Sequence, residues 1–152
     1  MLTANGYQRL DEEARRLKSV DRPTVIKAIA EAREHGDLSE NAEYHAAREQ
    51  QSMIEGRIKE LDNIIGRAEV IDTSRLAGPV KFGATVTLED NDSEEKLTYQ
   101  VVHEAEADIA RGLLNLNSPL ARGMIGKDVD DEVEVFAPGG VRSFTILEIR
   151  YV

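Results

Sequence analysis

The sequence predicts an α+β protein: an N-terminal antiparallel α-helical coiled-coil hairpin, then a small domain on an antiparallel sheet. Three observations predict it. Apolar residues recur at three- and four-residue steps as far as Ala68. A glycine-centred turn, "EHGDLSE", interrupts that helical half. After "DTSRLAGP" the period becomes two. The boundaries follow as 1–75 for the hairpin, with its acidic turn at 36–41, and 76–152 for the globular part.

The first arm carries Tyr7, Leu10, Ala14 and Leu17 at helical spacing. The phase breaks at "SVDRPTV". Pro23 lacks an amide donor and disfavours helical angles at Arg22, so a kink is expected, with Asp21 as the cap of the restarted helix. Val25, Ala28 and Ala32 continue the seam. Gly36 suits the left-handed position that ends a helix, and Asp37 with Glu40 forms a capping box for the next one. That second helix is expected from about Ser39 to Arg67, roughly 40 Å. Its seam reads Ala47, Gln51, Ile54, Ile58, Leu61, Ile65 and Ala68, a heptad pattern.

Beyond the hairpin, "VKFGATVTLED" and "KLTYQVV" alternate as strands around an acidic loop. "DEVEVFAPGGVRSFTILEIRYV" is a second hairpin, turning at Pro138-Gly139-Gly140. Between them Ser118 caps and Pro119 opens a short helix.

Composition narrows the function. Aromatics make up 5% of the 152 residues and charged residues 32%, which suits long solvated elements with aliphatic seams. Without cysteine there is neither a disulfide framework nor a thiolate zinc site, and His35, His45 and His103 form no metal-ligand pair. No apolar run approaches the roughly 20 residues of a membrane span, and no signal pattern opens the chain, so a cytoplasmic protein without a membrane partner is expected. The net charge is −10. Residues 1–75 hold 12 basic and 15 acidic residues, and residues 76–152 hold 7 and 14. Such a chain repels phosphate, so it should not bind DNA autonomously; any nucleic acid it works on should be held by another protein.

The turn holds the candidate chemistry. Asp37 and Glu40 are three residues apart and share a helical face. One reading makes them a capping box and nothing more. In the other they hold Mg²⁺ weakly, because that ion takes one or two carboxylates and fills its remaining positions with water or phosphate. Such a sparse site becomes useful where another enzyme brings phosphate and a second metal. Arg33 and Arg48 flank the turn and either face a phosphate backbone or pair locally. Tyr44 either packs on the opposite arm or stacks on a base or sugar. His35 and His45 have no assigned role.

"EAREHGDLSENAEYHAAREQQ" resembles the signature of the bacterial Gre transcript cleavage factor family, in its GreA-like branch. "RPTVIKAIAEAREHGD", "EGRIKELDNIIGRAEVID", "FGATVTL" and "NSPLARGMIGK" resemble the same family, and the likeness covers essentially the whole chain. It implies a coiled coil followed by an FKBP-like domain that docks at the secondary channel of bacterial RNA polymerase. The coiled coil would place its turn beside the polymerase's catalytic Mg²⁺ and stimulate cleavage of backtracked RNA. On this reading the chain is an accessory factor, not an enzyme. Asp37 and Glu40 match the family's acidic pair, which holds a second Mg²⁺ and positions or deprotonates the attacking water. Arg33 and Arg48 match its basic patch for the extruded RNA 3′ end, and Ser118, Pro119, Leu120, Ala121 and Arg122 its polymerase-docking segment. The alternative is a channel-binding inhibitor of the same fold without cleavage activity. A helical adaptor in which Asp37 and Glu40 only cap is a third reading.

Overall fold

The structure, a computed structural model of the 152-residue chain, describes residues 1–36 and 41–152. It divides into two units, Tyr7–Ala68 and Met1–Gly6 with Glu69–Val152. The boundary drawn at residue 75 therefore moves, and the first six residues belong with the second unit.

The first unit is a helical hairpin. One arm comprises α1 (Ala4–Arg16, whose first turn belongs to the second unit), a π-helical turn at Leu17–Asp21, and α2 (Arg22–Arg33). The other is α3 (Ala42–Gly66). Leu10, Ala14, Val25, Ile29 and Ala32 are buried on the first arm, and Ala47, Ile54, Ile58 and Leu61 on the second. Charge pairs flank this seam. Arg22 grips Glu55 with two bonds of 2.7 and 2.9 Å, Lys18 meets Asp62 at 2.9 Å, and Arg57 holds Glu13 at 2.6 and 3.0 Å. Moving from Arg22 back to Lys18 shifts the partner forward from Glu55 to Asp62, as antiparallel arms require.

The expected kink and restart are replaced by the π turn. Arg22 donates its amide to the Leu17 carbonyl, five residues back. Ser19 and Thr24 hydroxyls donate to the carbonyls of Arg15 and Val20 at 2.8 and 2.7 Å, a bonding that loosens a helix locally. The chain thus passes Pro23 without leaving helical geometry. Asp21 stays helical, at φ −69° and ψ −43°, and makes no capping bond, contrary to the sequence expectation. Downstream, Val25 and Ala32 are buried as the spacing predicts, but between them it is Ile29 that is buried and Ala28 only half-buried.

The second unit contains a two-stranded parallel ladder, β1 (Leu2–Thr3) on β2 (Val70–Ile71), and a five-stranded sheet. The sheet strands are β3 (Thr85–Asp90), β4 (Lys96–Val102), β5 (Leu113–Asn115), β6 (Glu132–Ala137) and β7 (Gly140–Arg150), in the order β5-β4-β3-β7-β6. Val86 and Leu88 of β3 and Phe144 and Ile146 of β7 alternate into the core, which Met124 of α4 (Pro119–Met124) completes. The sheet is mixed, not wholly antiparallel, because β5 runs parallel to β4. Residues 103–112 make two 3-10 turns, at Glu104–Glu106 and Ile109–Arg111, and bring the chain back to start β5 beside Gln100. Among the described residues no helix is long and apolar enough to cross a membrane.

Candidate nucleic-acid interface at the hairpin turn

α2 ends in a tightened turn, with the Glu34 and His35 amides donating to the Glu31 and Ala32 carbonyls. Gly36 follows at φ +108°, where a side chain would be strained. Asp37, Leu38, Ser39 and Glu40 lie outside the described residues, so the acidic pair is known here by sequence position alone.

The cap of α3 is Asn41, not the Asp37 of the sequence expectation. Its Oδ1 accepts from the Tyr44 amide at 3.0 Å, and its Nδ2 donates to the Ala32 carbonyl at 2.6 Å. One amide side chain thus satisfies an orphan donor at the start of α3 and ties α3 to the end of α2. The signal was present in the sequence, since Asn is among the best caps and immediately precedes the helical run.

The three residues expected to meet RNA gather around this turn. The Arg33 guanidinium lies 5.9 Å from the centre of the Tyr44 ring, in cation–π range. His45 meets the same ring edge-on at 5.5 Å between centroids. Tyr44 is half-buried, so one part of its ring supports Arg33 while another remains accessible. Arg33 and Arg48 line a shallow groove of about 240 Å³, together with Ile26, Ile29, Ala30 and Gln51. Two cations over an apolar floor beside a ring can take phosphates and stack a base. His35 approaches Glu43 at 4.0 Å.

In the second unit, Ser118 caps α4 by accepting the Ala121 amide at 3.3 Å, and Pro119 occupies its first turn, as expected. The proposed docking segment is not all available, however. Ala121 is fully buried in the core, and Leu120 packs partly against it. Pro119 and Arg122 are exposed.

No described residues form a group of three His, Cys, Asp or Glu side chains fit to hold a metal ion. Asp37 and Glu40 offer hard carboxylate oxygens of the type Mg²⁺ prefers, too few to enclose it.

These features define a helical-hairpin protein with a basic groove beside a turn whose sequence is acidic. Comparison with known proteins places it. Residues 1–70 match the model of the transcription elongation factor N-terminal domain, GreA_GreB_N, and residues 75–151 that of the GreA/GreB C-terminal domain. The chain is 69% identical to "Transcription elongation factor GreA" of Paracoccus denitrificans, over 99% of this chain and 97% of that protein. It is 62% identical to the same-named protein of Cereibacter sphaeroides, with the same coverage. Among solved structures, GreA factor homolog 1 (Gfh1) of Thermus thermophilus is similar, with a TM-score of 0.45 and 30% identity, covering 98% of this chain and 97% of that one. A GreA/GreB factor from Nitrosomonas europaea has a TM-score of 0.44 and 21% identity, covering 99% and 98%. The chain belongs to the GreA/GreB transcription elongation factor family, on the strength of the sequence matches.

Proposed function

We propose that this elongation factor stimulates the cleavage of backtracked RNA by bacterial RNA polymerase, working from the polymerase's secondary channel. The observation that carries the reading is the grouping of Arg33, Tyr44 and Arg48 around the turn whose sequence holds Asp37 and Glu40. Arg33 and Arg48 hold phosphates of the extruded RNA 3′ end, and Tyr44 stacks on a base or sugar. A carboxylate oxygen of Asp37 or Glu40 orients the attacking water and accepts its proton. The same two side chains hold a second Mg²⁺ shared with the polymerase; when bound, that ion lowers the pKa of water and stabilises a leaving oxygen. The chain is thus an accessory factor that completes a two-metal site it does not itself contain. Its net charge of −10 suits acting on RNA that a partner already holds. Docking on the polymerase falls to Pro119 and Arg122, the exposed members of the segment 118–122.

The test is a stalled, backtracked polymerase complex. Asp37→Asn or Glu40→Gln should slow stimulated cleavage about 100-fold while leaving polymerase affinity nearly unchanged. Raising Mg²⁺ should partly restore either single variant. Full cleavage by the double variant overturns the reading, and inhibition of elongation without cleavage by the wild-type protein replaces it with the inhibitor.

A further inference from the structure

Gln51 is the one polar residue among the positions read as the seam of α3, and the mechanism above gives it no task. It is half-buried, and its amide makes no hydrogen bond to another described residue. An apolar side chain at that position would strengthen the pairing of the arms. Opposite it stands Ile26, an apolar side chain left 50% exposed. The register of the arms brings the two together. Arg22 bonds Glu55 and Arg33 meets Tyr44, so 26 lies across from 51 and 29 across from 48. Both residues line the groove of about 240 Å³ that also holds Arg33 and Arg48. Ile26, Ala30 and Arg33 share a face of α2, as Arg48 and Gln51 share one of α3. The groove is therefore graded along its length. Its cations stand nearer Tyr44, and its exposed apolar side chain and seam amide stand nearer the Arg22–Glu55 pair. Every one of these residues belongs to the unit Tyr7–Ala68.

We propose, resting on the assignment of this groove to RNA, that its Ile26–Gln51 end is a subsite for one unpaired nucleobase. The groove then takes a nucleotide by its base as well as by its phosphate. Every base offers a flat apolar face and, along its edge, hydrogen-bonding groups. Ile26 lies against the face. The Gln51 amide, with two donors and a carbonyl acceptor, bonds the edge. Turning that amide over exchanges donor and acceptor, so no single base is demanded. A base within a duplex has its pairing edge occupied and is refused. Ala30 contributes by being small, which leaves the α2 wall open. At about 240 Å³ the groove is below the ~300–1,000 Å³ of a drug-sized site, and it suits one ring system better than a base pair. Arg33 and Arg48 supply the charge complementary to the phosphates on either side of that base.

The experiment titrates the full chain by NMR at low salt with two probes. One is the 5′-phosphorylated adenosine dinucleotide pApA. The other is its abasic analogue, which keeps the sugars and phosphates. With a net charge of −10 on the protein, dissociation constants of about 1 mM or weaker are expected. The dinucleotide should bind about fivefold or more tightly than the abasic analogue, and it should move the Ile26 methyl and Gln51 side-chain amide signals. Gln51→Leu keeps the seam apolar and the hairpin folded, and Ile26→Ser alters an exposed position. Each should remove most of the difference between the probes while leaving the abasic affinity within about twofold. Arg48→Ala should weaken both probes alike, as loss of a phosphate contact does. Equal binding of the two probes overturns the proposal, as does a difference that survives both Gln51→Leu and Ile26→Ser. Absence of any shift at Ile26 and Gln51 up to about 20 mM dinucleotide overturns it too. The cleavage reading is judged separately, in the backtracked polymerase complex. Base-dependent binding by a protein that stimulates no cleavage condemns that reading and leaves the subsite standing; stimulated cleavage with base-independent binding removes the subsite alone.

Discussion

Leu61 in the hairpin and Leu88 in the sheet are both fully buried, yet they sit in different kinds of interior. Leu88 lies in a core walled by several strands and by α4, with Val86, Val101, Met124 and Ile146 around it. The hairpin interior is a narrow seam, where Val25, Ile54 and Ile58 pack between two helices and partly exposed ion pairs run beside them. The sheet unit concentrates its stability; the hairpin spreads it along its length in small increments. A seam of that kind tolerates a π turn and a proline in mid-arm, because each local fault disturbs only its own turn. It also leaves the polar outer faces of both helices to solvent.

The largest test of this contrast is a pair of truncations. Leu88→Ala should destabilise the sheet unit by about 3–5 kcal/mol, because neighbours fixed by several strands cannot collapse into the void. Leu61→Ala should cost about 2–3 kcal/mol, since two helices can close up. Thermal melts followed by helical circular dichroism and by exchange of sheet amides separate the units; equal costs would break the comparison. A smaller effect is expected at Asn41, where Ala substitution removes a cap and an inter-arm bond together. About 1–2 kcal/mol should be lost locally, with faster hydrogen exchange at the Tyr44 amide and little change near Leu61. The smallest concerns the ion pairs. The Arg57 guanidinium bonded to Glu13 holds that carboxyl below its usual range, against the opposing effect of its partial burial. A depressed folded-state value means the pair's contribution is complete above the ordinary carboxylate range and disappears as pH falls through the folded value. With both side chains more than a third exposed, the contribution is under about 1 kcal/mol and shrinks with salt. Urea titrations of the wild type and Glu13→Gln should therefore differ at neutral pH and converge in acid; a constant gap would assign the effect to packing of the Glu13 stem.

How much of this was legible in the sequence follows the same division. Much of the seam of α3 could be read from spacing, because an uninterrupted helix keeps one period: Ala47, Ile54, Ile58 and Leu61 are buried, whereas Gln51, Ile65 and Ala68, expected on the same seam, are only half-buried. On the first arm the period failed at the π turn, which no spacing rule anticipates, and Ile29 took the place given to Ala28. Asp21 looked like a cap because proline usually follows a break; here hydroxyls of Ser19 and Thr24 bridge the region instead. In the sheet, alternation revealed β3, β4 and the last hairpin, while the two-residue strands β1 and β2 and the parallel β5 carried no periodic signal. β1 finds β2 across 68 residues of chain, and β5 finds β4 across 13, with no regular alternation to mark any of the three. At the turn, Arg33, Tyr44 and Arg48 could be chosen by charge and spacing; the capping role of Asn41 was also legible from its residue type, but its second bond, to the Ala32 carbonyl across the hairpin, was not. Glu106, whose buried carboxylate accepts the Thr3 amide at 2.9 Å, had no signal in the sequence at all, being one acidic residue in an acidic half.

The binding of Met1–Gly6 into a unit otherwise made of residues 69–152 also sets an order of assembly during synthesis. The helical arms can pair as soon as Ala68 has left the ribosome, while Leu2 stays uncovered until Val70 appears and Thr3 without its acceptor until Glu106 does. For that interval the nascent chain carries an apolar, unpaired N-terminal segment. A loop closed over about a hundred residues forms late, and the last unit to be translated is the one that secures the first residues made.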